Sequence, residues 1–61
     1  GLARRLLEML IDRARASGFQ RMEGHVLATN VPMLSLAQRL GFTESASAEG
    51  PTVRLVRRPL G

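Results

Sequence analysis

Two short stretches of this chain carry residues suited to gripping an anion and an elongated polar ligand. The first is Gly1-Leu2-Ala3 followed by Arg4-Arg5. A helical pattern starts at once behind Gly1, so both arginines fall in a first turn. The helix dipole is positive there and favours Asp or Glu by about 0.3–1 kcal/mol each, yet neither is present. Free backbone N–H groups, a glycine without a side chain and added positive charge together make an anion site. The same arginines also suit a plain solvated surface. The second stretch is Asn30-Val31-Pro32-Met33. Asn30 is a preferred N-cap and Pro32 suits a first turn. The Asn30 amide or backbone could equally bond a ligand, and Met33 could fill a core gap or pack on one.

Other chemistry is sparse. There is no cysteine, so disulfides, thiolate metal sites and cysteine nucleophiles are excluded, and His25 is the single histidine. One histidine makes no metal site without carboxylate help. His25 and Glu23 could face a substrate from a strand, or simply sit at the surface, and geometry decides between these. Arg54, Arg57 and Arg58 suit a solvated strand face. No tyrosine or tryptophan is present, and Phe19 and Phe42 each follow a glycine as helix-end contacts. A small basic nucleic-acid-binding module is the alternative that charge allows. No stacking platform or nucleic-acid motif accompanies it.

The elements that must hold these residues follow from spacing. Leu2, Leu6, Leu7, Leu10, Ile11 and Ala14 recur on one helical face, with Arg5, Glu8, Asp12 and Arg15 opposite. Arg5–Glu8 and Asp12–Arg15 are expected i, i+3 pairs. Gly18 is expected as a left-handed cap, with Phe19 folding back on the last turn. Gln20 to Thr29 predicts a strand with Met22, Val26 and Ala28 on one face. Leu27 is apolar on the other face, which predicts cover on both sides. Gly24 predicts a bulge or a close backbone approach. Met33, Leu36, Ala37 and Leu40 predict a second helix, stopped by Gly41, with Phe42 as its hydrophobic contact. Thr43 to Ala48 is a weak strand, Glu49-Gly50-Pro51 a turn, and Thr52 to Arg57 a last strand closed by Pro59. The order is α-β-α-β-β, an α/β (α+β) chain with a mixed sheet.

Size limits what this can be. The chain has 61 residues, and below ~70–80 residues one core supplies only about 3–5 kcal/mol. Without a disulfide or metal, burial against something larger is expected. The abrupt helical start without an initiator methionine is expected to mark a segment of a longer chain. Nine basic and five acidic residues give a net charge of +4, suited to anionic ligands. Apolar residues make up 44%, which argues against disorder, and no apolar run approaches the ~20 residues of a membrane span. The lack of cysteine is compatible with a cytoplasmic location.

Gly1-Leu2-Ala3 and the helix behind it resemble the end of the Q/R-x-x-G-x-G/A signature of the GNAT superfamily of N-acetyltransferases. Asn30-x-x-Met33-Leu34-x-Leu36-Ala37-x-x-Leu40-Gly41-Phe42 resembles that family's strand–Asn–helix–Leu-Gly-Phe segment, and a hairpin follows in both. The resemblance covers essentially the whole chain and identifies residues 1–61 as the C-terminal part of such a domain. It implies acetyl-CoA as cosubstrate, with its diphosphate at Gly1, Leu2, Ala3 and Arg4. Asn30 would bond the pantetheine amides and Met33 would pack on that arm. Arg39 is a further candidate for the coenzyme's 3′-phosphate.

Many family members carry a tyrosine seven residues after this Asn, as an acid for the leaving thiolate. Here that position is Ala37. The family's base often lies on the preceding strand, so no catalytic residue is expected in this segment and it is expected to be inactive alone. The pattern from Gly24 to Ala37 is similar to Pat-type bacterial protein lysine acetyltransferases, which implies an amine acceptor and a protein lysine in particular. Without the preceding strands, the edge of Gln20–Thr29 and the apolar faces of both helices are expected to be exposed. Self-association of the isolated segment is the expected result.

Overall fold

The computed structural model describes residues 1–60. Helix α1 spans Leu2–Ala16, strand β1 Arg21–Leu27, helix α2 Val31–Arg39, strand β2 Thr43–Ser47 and strand β3 Gly50–Pro59. The order is the expected α-β-α-β-β. The sheet order is β1-β3-β2, with β3 antiparallel to both neighbours. Strands β1 and β2 therefore run in the same direction, and α2 carries the chain between them. The expected turn is shorter than foreseen, because β3 already begins at Gly50.

Both helices stop by the same device. Gly18 N–H donates to Arg15 O and Phe19 N–H to Ala14 O, each at 3.1 Å. Gly41 N–H donates to Gln38 O at 3.1 Å and Phe42 N–H to Ala37 O at 2.9 Å. These are Schellman motifs, which need a left-handed residue. The two glycines supply it at φ 85° and 90°. The partners of these glycines fare differently. Phe42 is 7% exposed and packs with Ala37, whereas Phe19 is 65% exposed and does not fold back into the core.

The core is Ile11, Ala37, Phe42, Val56 and Leu60, with Leu7, Ala14, Met22, Val26, Leu34 and Leu40 packed against it. Both helices thus cover one face of the sheet. Leu27 is exposed on the other, so the expected two-sided cover of β1 is not found among the described residues. The register of β1 against β3 is unbroken through Gly24↔Val56. A Cβ at Gly24 would meet Val56 Cγ2 at an ordinary 3.7 Å, so neither a bulge nor a tight approach explains this glycine. The bulge lies instead in β2, between Ala46 and Ser47.

The apolar arc of α1 is wider than the core it meets. Leu7, Ile11 and Ala14 turn inward, while Leu2, Leu6, Met9 and Leu10 are exposed. On α2 the exposure is partial: Ala37, Leu34 and Leu40 join the core, while Val31 is exposed and Met33 and Leu36 are half-buried outside it. The first expected ion pair is also shifted: Glu8 Oε1 meets Arg4 Nε at 3.3 Å rather than Arg5, while Asp12 and Arg15 pair at 4.0 Å. All four side chains are at least half exposed, so each pair contributes little.

Gly41 faces one further constraint. A Cβ there would lie 3.0 Å from Arg58 Nε, whereas at Gly18 it would meet nothing within 4 Å. Gly18→Ala is expected to cost about 1–2 kcal/mol, the penalty of a left-handed L-residue. Gly41→Ala should cost more, and pairing it with Arg58→Ala should remove the excess. Denaturant unfolding of the four variants, read as a double-mutant cycle, checks this.

Candidate functional site

The site is organised by the free edge of β1. One side of this strand bonds β3, and no described strand bonds the other. Side chains alternate along it. Met22, Gly24 and Val26 are half-buried toward the helices, while Arg21, Glu23, His25 and Leu27 are exposed on the far face. The chain leaves β1 through Ala28, whose N–H donates to Thr52 O at 2.9 Å, and then a tight turn in which Asn30 N–H donates to Leu27 O at 2.9 Å. That turn delivers Asn30 to the start of α2.

Asn30 caps α2. Its Oδ1 accepts from Met33 N–H at 3.3 Å, with Pro32 in the first turn. This is the ordinary cap geometry. The cap engages the amide oxygen and leaves the NH₂ end free of any described partner.

Two grooves meet at this point. A cleft of about 410 Å³ follows the β1 edge from Met22 to Leu27 and is floored by Val56 and Phe42, with Asn30, Met33 and Ala37 on its α2 side. A second groove of about 240 Å³ is lined by Ala3, Asn30, Pro32, Met33 and Leu36. Asn30 and Met33 line both. Ala3, Asn30 and Met33, singled out in the sequence, are therefore brought together. Leu36, Met22, Val26 and Phe42 join them without having been foreseen as site residues. Their signal was the same periodicity that marked them as core, and an open edge strand leaves part of that core accessible.

Gly1, Leu2 and Arg4 lie at the start of α1. That turn has no acidic residue and no side-chain cap. Its first intrahelical bond is Arg5 N–H to Gly1 O at 3.3 Å. The N–H groups before it have no helical acceptor by construction. Nothing lies within 4 Å of a Cβ built on Gly1. Leu2 is 87% exposed and borders the outer groove of α1 with Arg5, Leu6 and Met9. Arg4 is drawn back along the helix by Glu8. Arg39 sits in the last turn of α2 and lines neither groove.

Several of the strand charges sit in local pairs, while a buried nitrogen of the Arg58 guanidinium has no described partner. On the helix side of the sheet, Glu44 Oε1 accepts from Arg54 Nε at 2.8 Å and its Oε2 from Gln38 Nε2 at 3.1 Å. On the far face, Glu23 Oε1 takes Arg21 Nε at 3.0 Å and Arg57 Nε at 3.3 Å. The basic tail is thus partly neutralised rather than gathered into one patch. Among the described residues no group of three His, Cys, Asp or Glu could hold a metal. No described helix is long and apolar enough to cross a membrane.

Asn30 can be tested for two roles at once. Asn30→Ala is expected to lower stability by about 1 kcal/mol through loss of the cap. Asn30→Ser should restore most of that stability, because serine caps as well. Thermal unfolding separates the two variants, and any ligand-binding defect that persists in the serine variant belongs to the amide itself.

Residues 1–42 match the acetyltransferase (GNAT) family. Among solved structures, YncA from Salmonella typhimurium, assigned as an acetyltransferase and determined with its cofactor acetyl-CoA, superimposes with a TM-score of 0.83 at 32% sequence identity. The match covers 100% of this chain and 40% of YncA, so the chain spans less than half the length of that protein.

Proposed function

Because the chain belongs to the acetyltransferase (GNAT) family, we propose that it forms the cofactor-holding part of an enzyme moving an acetyl group from acetyl-CoA to an amine. The observation that carries this reading is the meeting of two grooves at Asn30 and Met33, with Ala3 from the start of α1 in the second. Acetyl-CoA has a diphosphate at one end of its pantetheine arm and a thioester at the other. The bare N–H groups at Gly1, Leu2 and Ala3, with Arg4 and Arg5 beside them, suit the diphosphate. The apolar walls from Pro32, Met33 and Leu36, with one free amide from Asn30, suit an arm of methylenes and two amides.

In this reading the residues bind and orient. Holding the thioester in a fixed pose converts a bimolecular encounter into a local one. The contact that polarises the thioester carbonyl is expected from a preceding strand along the open edge of β1, so the 61-residue segment alone is inactive. The acceptor is an amine, and the similarity of Gly24 to Ala37 to the Pat-type pattern favours a protein lysine. Ala37 is 2% exposed within the core, which supports a mechanism with no side-chain acid at that position.

Calorimetry with the full protein containing this segment tests the proposal. Acetyl-CoA should bind, and more weakly as salt rises, because cationic contacts to the diphosphate are screened. Arg4→Ala should weaken binding at low salt and flatten the salt dependence. Absence of binding by the wild-type protein would refute the reading.

The isolated segment is expected to pair with itself. It exposes the row Leu2, Leu6, Met9 and Leu10 together with the unbonded edge of β1, and such edges seek strands. Sedimentation should find a dimer, and a well-folded monomer would argue the reverse.

A further inference from the structure

Helix α2 is held from two sides by different means. Toward α1 its fastening is apolar: Ala37 and Leu40 share the core with Leu7 and Ile11. No hydrogen bond or ion pair joins the two helices among the described residues. Toward the β2–β3 hairpin the tie is polar and runs through Glu44. Its Oε2 accepts from Gln38 Nε2 at 3.1 Å, and its Oε1 accepts from Arg54 Nε at 2.8 Å. One carboxylate thus spans three elements, α2, β2 and β3.

Helical spacing sets this tie opposite the groove between α1 and α2. At ~3.6 residues per turn, Gln38 lies about 200° round from Leu36 and about 140° from Met33. Leu36 and Met33 line that groove with Ala3, whereas Gln38, Glu44 and Arg54 line neither groove that meets at Asn30. Glu44 is also the least exposed carboxylate in any described ion pair, at 23%, with Arg54 at 33%. Partial burial leaves this pair less screened than the exposed ones. Gln38 and Glu44 are only six apart in sequence, with the glycine stop of α2 between them. The tie therefore braces the corner where the chain passes from α2 into β2.

We propose that Glu44 is a positioning residue for cofactor binding: with Gln38 and Arg54 it draws α2 toward the hairpin and so sets the width of the groove that Ala3, Met33 and Leu36 line. This rests on the reading that the groove takes the acetyl-CoA arm. Glu44 does not touch the ligand and acts through α2. Without the tie, α2 is free to roll toward α1, where apolar surface attracts it, and the groove narrows. Ligand then binds only the fraction of molecules whose groove is open, and apparent affinity falls by that fraction. The worth of the lost hydrogen bond limits the fall to roughly tenfold.

The test uses the full protein containing this segment, with calorimetric Kd as the readout. Gln38→Ala comes first, because Gln38 is exposed and alanine is the better helix former, so the fold is kept. Its Kd for acetyl-CoA should rise about 3- to 10-fold, the worth of one hydrogen bond. Adenosine 3′,5′-bisphosphate carrying a second 5′-phosphate, which has the diphosphate but no arm, should bind this variant as it binds the wild type. Glu44→Ala should raise the acetyl-CoA Kd at least as far, and adding Gln38→Ala to it should raise it no further, since both remove one contact. The reversed pair, Glu44→Arg with Arg54→Glu, should recover affinity, because the Gln38 amide oxygen can accept from the relocated guanidinium. An unchanged acetyl-CoA Kd in Gln38→Ala and Glu44→Ala, whatever their melting temperatures, would overturn the proposal and leave a purely structural tie. Equal weakening of the armless probe would overturn it too, because the effect would then lie outside the arm groove. Failure of the wild-type protein to bind acetyl-CoA would instead overturn the cofactor reading.

Discussion

The pairing of β1 with β3 along one side only, among the described residues, is the constraint on which the rest of this segment depends. A strand bonded on one side only presents a row of unsatisfied N–H and C=O groups, and a sheet edge of this kind accepts an extended partner. Within this segment the inward residues Met22 and Val26 are half-buried and line the cleft beside that strand. Because β1 ends beside that edge, the turn through Asn30 sets the start of α2 at the cleft mouth. Alternation along the same strand then puts Glu23 and His25 on its other side.

Helix α1 shows how a single element serves two surfaces. Its inward stripe of Leu7, Ile11 and Ala14 secures it to the sheet, while its second apolar row is left bare. The tie between Arg15 Nε and Leu60 O at 3.3 Å, and that between Leu60 N–H and Gln20 O at 2.8 Å, fasten the far end of the helix to the strand ends. The free end of α1, with its uncapped N–H groups, is therefore held by packing at its middle and C-terminal turns. The N–H groups of that first turn have no acceptor within the helix.

Much of this was legible in the sequence where the signal was local. The glycine stops at Gly18 and Gly41 and the Asn30 cap depend on residues within one turn of each other, and all were readable. The element order followed from changes of period. What depends on register or on neighbours was not readable. Glu23 meets Arg57 only because β1 and β3 pair in one register. Leu27 is apolar but faces no described layer, so its hydrophobicity alone misjudged its cover. The shift from Arg5–Glu8 to Arg4–Glu8 reflects the choice between i, i+3 and i, i+4 partners on one helix face, which side-chain direction decides. Phe19 and Phe42 occupy the same place in identical caps, and only the sheet beneath Phe42 makes one of them core.

Strand β3 is the last element in the chain order and the middle one in space. Neither β1 nor β2 has a hydrogen-bonding partner within this segment until β3 arrives, and the two never bond each other. During synthesis β2, and the side of β1 that faces β3, must wait while the remaining residues emerge, and these pairings span sequence separations that slow closure. Within this segment the sheet is completed late, by a strand inserted between two others. A ribosome stalled before β3 would leave β2 without a partner in this segment, exposed to quality control in that interval.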